Sequence, residues 1–446
     1  METDAATDIL ALLNDPDFAE IRRIASKRPL LWSEFLGMRM PRDMDPELVW
    51  DVLTSLRRHD ALYFADLHPW SGGFKHQWYT VPHSFAASLA EVSMRACENS
   101  PLDLALSQRA SRHFVVQPLI EETIAAIQQD GLEIDYEAAR EILLEERRAS
   151  TPSEQLAFNM HAILCDLESL KGREITTELI WELHGRLTAG IDAPLPKGTP
   201  EMFHLPEWAN PSPEAALQSV GALVSGFTAD PDEHPMITAL LIICDIWRFS
   251  PLPSCNYSMG SLASRLYLLN LGYPVFQYIP ISAAILSWRR GTVHPPEVPC
   301  AYTEASVDCG SDRDWTPYLD AMVRLILREF DKLERAITNI RNRDEALSEM
   351  LHQDPTINHR QRAVLARALL VPETRFRISS HRAEHGVVYS TARADLLALG
   401  ERGLLTMEDE DGAFIFRARP DLRTYLERDR ASDRQLIGMR KSAIAS

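Results

Sequence analysis

Apolar and polar positions divide the chain into three stretches of different character. In residues 1–100, "DFAEIRRIAS" and "LLWSEFLG" are two short helical patterns. "MDPELVWDVLTSLRRHDAL" is a longer one, with Asp45 as cap and Pro46 in the first turn. Its Leu48, Val49, Val52, Leu53 and Leu56 share one helical stripe. "LYFADLHPWSGGFKHQWYTV" then reads as two strands joined through Ser71-Gly72-Gly73. Three helices followed by a hairpin is the order of a winged helix, and equally of a plain packing module. His68, His76 and His83 fall here without an acidic or Cys partner at ligand spacing, so no metal site is expected.

Residues 101–350 read as almost all helix. "QPLIEETIAAIQQDG" carries an apolar stripe and stops at a glycine cap. "DYEAAREILLEERRAS" opens on an acidic cap. "QLAFNMHAILCDLESL", "TTELIWELHGRLTAGI" and "WTPYLDAMVRLILREFDKLERAITNIRNR" continue the helical period. The long non-helical stretch runs from Asp192 to Pro213, and a connection of that length in a compact domain is usually functional. Residues 351–446 give helix, helix, helix, hairpin: "HRQRAVLARALL", "ISSHRAEHG", "VVYSTARADLLALGERGLL" and "LTMEDEDGAFIFRA", with the turn at Asp411-Gly412. This is the order of a winged helix. If it reads DNA, Tyr389, Ser390, Thr391 and Arg393 at the start of the last helix would enter the groove. The acidic hairpin tip opposes that reading, and a protein-docking role fits the same elements.

Composition adds bounds. The 446 residues allow two to four domains, and 45% hydrophobic with 25% charged residues is ordinary for a soluble globular protein. No apolar run has the length of a membrane span, so no membrane partner is expected. The acidic start "METDAATDIL" lacks the regions of a signal peptide, and six scattered cysteines without a CxxC pair suit reduced thiols in a cytoplasmic protein. The net charge of −18 argues against a chain that coats nucleic acid. From Pro355 to Ser446, however, 16 Lys and Arg face 12 Asp and Glu, which leaves +4 there and −22 elsewhere. A basic tail on an acidic body allows a local DNA contact.

The stretch with the most chemistry to explain is "FSPLPSCNYSMGSLASRLYLLNLGYP", Phe249 to Pro274, a loop running into an apolar helix. Such a junction is a natural phosphate site, because free backbone N–H groups and the helix dipole face the anion. Ser250-Pro251-Leu252-Pro253-Ser254-Cys255-Asn256-Tyr257-Ser258 lies without a gap on HPFxDGNGR, and Gly272-Tyr273-Pro274 follows at the usual interval. The helical middle therefore resembles the Fic (Fido) family, whose typical members transfer AMP from ATP to protein hydroxyls. "LIWELHGRLTAGI" resembles the family's helix before the substrate flap, "HPMITALLIICDIWRF" the helix into the motif, and "ASTPSEQ" the inhibitory segment, with Ser150 and Glu154 at matching places.

The resemblance covers roughly residues 140–446 and implies a mainly α chain. A helical Fido domain at 101–350 (core 150–345) is flanked by an N-terminal winged-helix-like module (1–100) and a C-terminal winged helix (351–446). It also implies a target-holding flap at Pro194–Pro206, and dimers are frequent in the family.

The motif chemistry is depleted. Ser250 stands where the family has its base, and Ser254 where it has its acidic Mg²⁺ ligand. Cys255 and Tyr257 replace glycines and disfavour positive φ. Ser258 and Ser261 replace the phosphate-binding arginines, while Pro251 and Asn256 remain, Asn256 being the retained nucleotide-site position. Glu154 then has no arginine at 261 to pair with, and it reads as a solvated helix residue. Cys255 as a nucleophile would need His184 or His234 as base, and an isolated Cys is normally inert.

These features imply a catalytically degenerate Fic-like protein acting as a regulatory DNA-binding or protein-docking factor, with no cofactor. The alternative is a divergent nucleotidyl transferase using ATP and Mg²⁺, and a third reading is an effector component that docks a partner.

Overall fold

The structure is a computed structural model. It describes residues 9–42, 44–63, 78–107, 112–143, 148–197, 213–226, 233–293, 302, 305, 314–352, 357–370, 374–410, 413–422 and 424–426. The chain is mainly helical and divides into two compact units, Met1–Arg335 and Ala336–Ser446. Residues 1–100 fall in the first unit with the helical middle, and the division falls within the helix Thr316–His352.

The first unit opens with α1 (Pro16–Lys27), α2 (Trp32–Leu36) and α3 (Pro46–His59). Local chemistry explains two of the starts. The Asp15 carboxylate accepts from the N–H groups of Asp17 and Phe18, and Asp45 accepts from Glu47 N–H. The apolar stripes bury Phe18, Ile21, Phe35, Val49 and Leu53 in one cluster. Strands β1 (Leu62–Tyr63) and β2 (Trp78–Tyr79) pair antiparallel, Leu62 opposite Tyr79. The turn expected at 71–73, with His68 and His76, lies outside the described residues.

Strand β2 joins the helical body directly. Trp315 N–H donates to the Trp78 carbonyl at 2.9 Å. Arg57 pairs with Asp314 at 2.6 Å, with both side chains nearly buried. The Arg57 and Arg58 guanidinium groups lie over the Trp78 ring at 5.1 and 5.5 Å.

The body continues with α4 (His83–Ala96), α5 (Pro101–Leu106), α6 (Arg112–Gln129), α7 (Tyr136–Leu143) and α8 (Pro152–Cys165). It is completed by α9 (Thr177–Leu187), α10 (Pro213–Gly226), α11 (Pro235–Phe249), α12 (Asn256–Asn270), α13 (Ile281–Arg289) and α14 (Thr316–His352). Helix α12 is the centre: every residue from Asn256 to Leu269 is buried. Its sequence is apolar on most faces, so it must be surrounded, and it packs against α11 and α6. Gly260 permits the close approach to α11, since a Cβ there would stand 3.1 Å from the Cα and carbonyl oxygen of Ile243.

The second unit contains α15 (His359–Leu370), β3 (Arg375–Arg377), α16 (Ile378–His385), α17 (Tyr389–Glu401), β4 (Leu405–Glu410) and β5 (Ala413–Ala418). Gly386, at φ 62°, closes α16 in the left-handed conformation that glycine adopts without strain. The sheet order is β3-β5-β4, all antiparallel, with Phe376 opposite Phe416 and Met407 opposite Phe416 on the other side. Strand β3 is absent from the sequence reading because "RFR" is too short to show a period.

Leu365, Ala392, Leu396, Leu399 and Phe416 form the core of this unit. Asp395 on α17 ties its three helices together. Its carboxylate accepts from Arg360 Nε at 2.6 Å and Asn358 Nδ2 at 2.8 Å, and lies 3.3 Å from His381 Nε2. Burial pushes this carboxyl up, but the bonds from Arg360, Asn358 and His381 outweigh it and hold the group below the usual range.

Candidate functional site

The Phe249–Pro274 stretch folds as expected in outline: α11 ends, a short loop turns, and α12 begins. The positions that matter chemically are engaged by other parts of the first unit. Ser250 caps the end of α11 in the left-handed conformation, at φ 42°, and its hydroxyl donates to the Trp247 carbonyl at 2.8 Å. Cys255 is also left-handed, at φ 56°, so it adopts the conformation expected to be denied to it. A non-glycine residue there costs on the order of 1 kcal/mol or more and persists because surrounding packing fixes it. Tyr257, at the other glycine position, is instead a regular residue in the first turn of α12 and stacks edge-on against Trp247 at 4.8 Å.

Asn256 braces the loop. Its Oδ1 accepts from Leu252 N–H at 2.9 Å, and its Nδ2 donates to the Leu252 carbonyl at 3.0 Å and the Lys197 carbonyl at 2.9 Å. The backbone N–H groups of Cys255 and Asn256 donate to the Pro196 and Lys197 carbonyls at 3.3 and 3.4 Å. The start of the expected flap therefore lies on the loop, while positions 198–206 fall outside the described residues.

The first turn of α12 holds an anion of the chain's own. Asp130, just past the end of α6, is fully buried, and its carboxylate accepts from Tyr257 N–H at 2.8 Å and Ser258 N–H at 3.1 Å. The Ser258 hydroxyl donates to the same group. A helix N-terminus has unpaired N–H donors and a partial positive charge, so a carboxylate there satisfies both. Burial pushes the Asp130 carboxyl up to about 7, against the opposing pull of the Ser258 and Tyr257 bonds.

One turn on, Glu122 of α6 makes a second set. Ser261 Oγ donates to it at 2.7 Å, Ser282 N–H donates at 2.8 Å, and Arg265 pairs with it at 2.9 Å, both charged side chains being buried. Arg265 also donates to Ser261 Oγ at 3.0 Å and to the Ile279 carbonyl at 2.6 Å. A buried ion pair of this kind is tolerable only when further hydrogen bonds saturate it.

Nucleophilic chemistry finds little support in this geometry. His184 Nε2 lies 3.2 Å from the Ser254 carbonyl oxygen and 3.3 Å from its hydroxyl. A carbonyl oxygen only accepts, so Nε2 carries the hydrogen and cannot take a proton from Ser254. Burial lowers the His184 imidazole below its usual range. Burial, reinforced by the Asp130 charge, pushes the Cys255 thiol up to about 12, so it remains a thiol at neutral pH. His234 is elsewhere: it caps α11 through Met236 N–H and meets Ser93 Oγ at 2.8 Å.

Ser150 and Glu154 come together in a capping box at the start of α8. Thr151 Oγ1 accepts from Glu154 N–H, while Glu154 Oε2 accepts from Ser150 N–H and hydroxyl at 2.7 Å and from Thr151 N–H at 3.2 Å. Glu154 is buried, which corrects its reading as a solvated helix residue.

In the second unit, Tyr389, Ser390 and Arg393 are exposed on the first turns of α17, and Thr391 is half-buried. The helix begins at Val388 without a side-chain cap and has no acidic residue in its first turn. Arg57 and Arg58, adjacent basic residues at the end of α3, engage Asp314 and Trp78 and are not a free basic surface.

Sequence reasoning missed Asp130 and Glu122. The available signal was a carboxylate inside "LIEETIAAIQQDG", a run buried on nearly every side. A buried carboxylate requires a partner, but the sequence does not say which.

No family model and no curated protein matches the chain. Among solved structures it is similar to the crystal structure of a Fic family protein from Desulfovibrio desulfuricans G20. That similarity has a TM-score of 0.44 and 16% identity, and covers 75% of this chain and 94% of the other.

Proposed function

We propose that this chain is a Fic-like protein that has lost nucleotide transfer and acts as a regulatory factor, docking DNA through its C-terminal unit. The observation that carries the reading is Asp130 on the first turn of α12. Where the family resemblance puts a nucleotide phosphate, this chain supplies its own carboxylate to the N–H groups of Tyr257 and Ser258. A second anion there would have to compete with Asp130 for the same N–H donors, and no described Lys or Arg pairs with Asp130 to draw it in.

The C-terminal elements have the order of a winged helix, and α17 begins uncapped with Tyr389, Ser390 and Arg393 exposed. An open helix N-terminus beside an arginine suits a DNA phosphate.

Calorimetric titration of the full chain with ATP and Mg²⁺ tests the first half. Binding weaker than about 100 μM, roughly −5.5 kcal/mol, is expected. Tighter binding, with transfer of labelled AMP lost in Ser250→Ala, favours the transferase reading instead. Ser250→His alone should stay silent. Restoring the motif also requires Asp130→Gly, because Ser258→Arg would otherwise pair with Asp130. Salt-dependent retention on duplex DNA tests the second half, and no binding at about 50 mM salt would sink it.

A further inference from the structure

A recess of about 680 Å³ lies in the first unit and shares no lining residue with the 250–258 loop. Six parts of the chain wall it: the turn after α4, then α5, α6 and α8, and the short helical turns Leu167–Leu170 and Pro274–Gln277. Its floor is apolar, from Leu106, Val116, Leu119, Pro274 and Tyr278. This volume falls in the range of small-molecule sites, with a lining more polar than most.

The polar wall is one-sided. Glu98, Asp103 and Glu168 contribute carboxylates, against the single ammonium of Lys171. Lys171 is already committed, at 2.8 Å from Glu98 and 3.9 Å from Glu168. Asp103 is held in place by Asn99 N–H on its Oδ2 at 2.8 Å. Asn99 sits at φ 62°, one of three described non-glycine residues in the left-handed region. The other Asp103 oxygen, Oδ1, makes no hydrogen bond among the described residues, although the Lys171 charge is within electrostatic reach of this carboxylate. His161, whose imidazole burial holds below its usual range, adds no compensating charge. A free metal ion fits poorly, since among the described residues no three His, Cys, Asp or Glu side chains converge on one point. An anion would meet three carboxylates.

We propose that this recess binds a small organic cation, with an ammonium or guanidinium head at Asp103 and Glu168 and an apolar body over Leu106 and Leu119. Such a ligand uses both features of the wall: charge at the rim and area on the floor.

The wall carries its own reporter. Cys165 is exposed, lines the recess, and its Sγ lies 3.5 Å from His161 Nε2.

The test uses the full chain and three probes of one shape and different charge: 2-phenylethylammonium, 2-phenylethanol and 3-phenylpropionate. Calorimetry at low salt should show saturable binding of the ammonium. The alcohol should bind at least tenfold more weakly, and the carboxylate more weakly still. The ammonium alone should slow alkylation of Cys165 by iodoacetamide, read by peptide mass. Asp103→Asn with Glu168→Gln keeps an acceptor for Asn99 and should weaken ammonium binding at least tenfold. Ser107→Trp, a rim substitution on an exposed residue, should abolish it; melting curves establish that each variant is folded. No saturable binding of the ammonium overturns the proposal. So does equal binding of the alcohol, or unchanged binding in folded Ser107→Trp.

Discussion

Helices α12 and α17 both follow a loop and both present an N-terminus, but they are finished in opposite ways. The first turn of α12 is buried, and its N–H groups end on Asp130, a residue 127 positions away in sequence. The first turn of α17 is exposed and begins at Val388 with no side-chain cap. The same backbone device, a cluster of donors with a partial positive charge, is closed inward in one unit and open outward in the other. A helix end can take an outside ligand only where nothing internal has claimed its donors.

The largest expected effect tests how firmly the inward end is held. Arg265→Ala leaves Glu122 as an uncompensated buried charge and should destabilise the first unit by about 3–5 kcal/mol. Differential scanning calorimetry should show that transition moving while the second unit's stays. Arg360, paired with Asp395 but partly exposed, should cost less on the same substitution. Equal losses would remove the contrast between the units.

The next effect is pH. The folded Asp130 carboxyl is raised from 3.8 to about 7, so between these values the folded chain holds a proton that the unfolded chain has released. Stability from this group is therefore lost as pH rises through that window, by at most about 4 kcal/mol. The lowered pKa values of His161, His184 and His234 act in the opposite direction on acidification. For that reason the measurement is the difference between wild type and Asp130→Asn, by denaturant titration at pH 5 and pH 8. The advantage of Asp130→Asn should be larger at pH 8, and a difference independent of pH would show that Asp130 does not titrate where its burial implies.

For the outward end, Arg393→Glu should weaken DNA binding by about one to two orders of magnitude, through loss of one phosphate contact and the repulsion that replaces it. Unchanged affinity would take DNA away from the first turns of α17. The smallest effect is the most direct conversion of one helix end into the other. Val388→Asp supplies α17 with an internal cap and should stabilise the second unit by about 1 kcal/mol. The same carboxylate should reduce DNA affinity, because it competes for the donors a phosphate would use. A cap that stabilises the helix and leaves affinity intact would mean that its N-terminus is not part of the contact.

Much of the scaffold follows from the sequence alone because its causes are local. Asp15, Asp45 and Thr151 cap helices within three residues of themselves. Gly386 ends α16 where the chain must turn left-handed, and the apolar surround of "LASRLYLLNLG" requires a buried central helix. That positions 250–261 carry no charged residue and no histidine is equally a sequence fact. Which groups meet those positions is not. Asp130 and Glu122 reach Ser258 and Ser261 across 128 and 139 positions, a separation at which composition and periodicity carry no pairing information. Cys255 takes a left-handed φ against its own preference because the packing of α6, α11 and the 196–197 segment around it outweighs about 1 kcal/mol of local strain. Local propensity chose the helices. Only the tertiary structure decided which buried charge meets which helix end, because that choice depends on excluding water from groups distant in sequence.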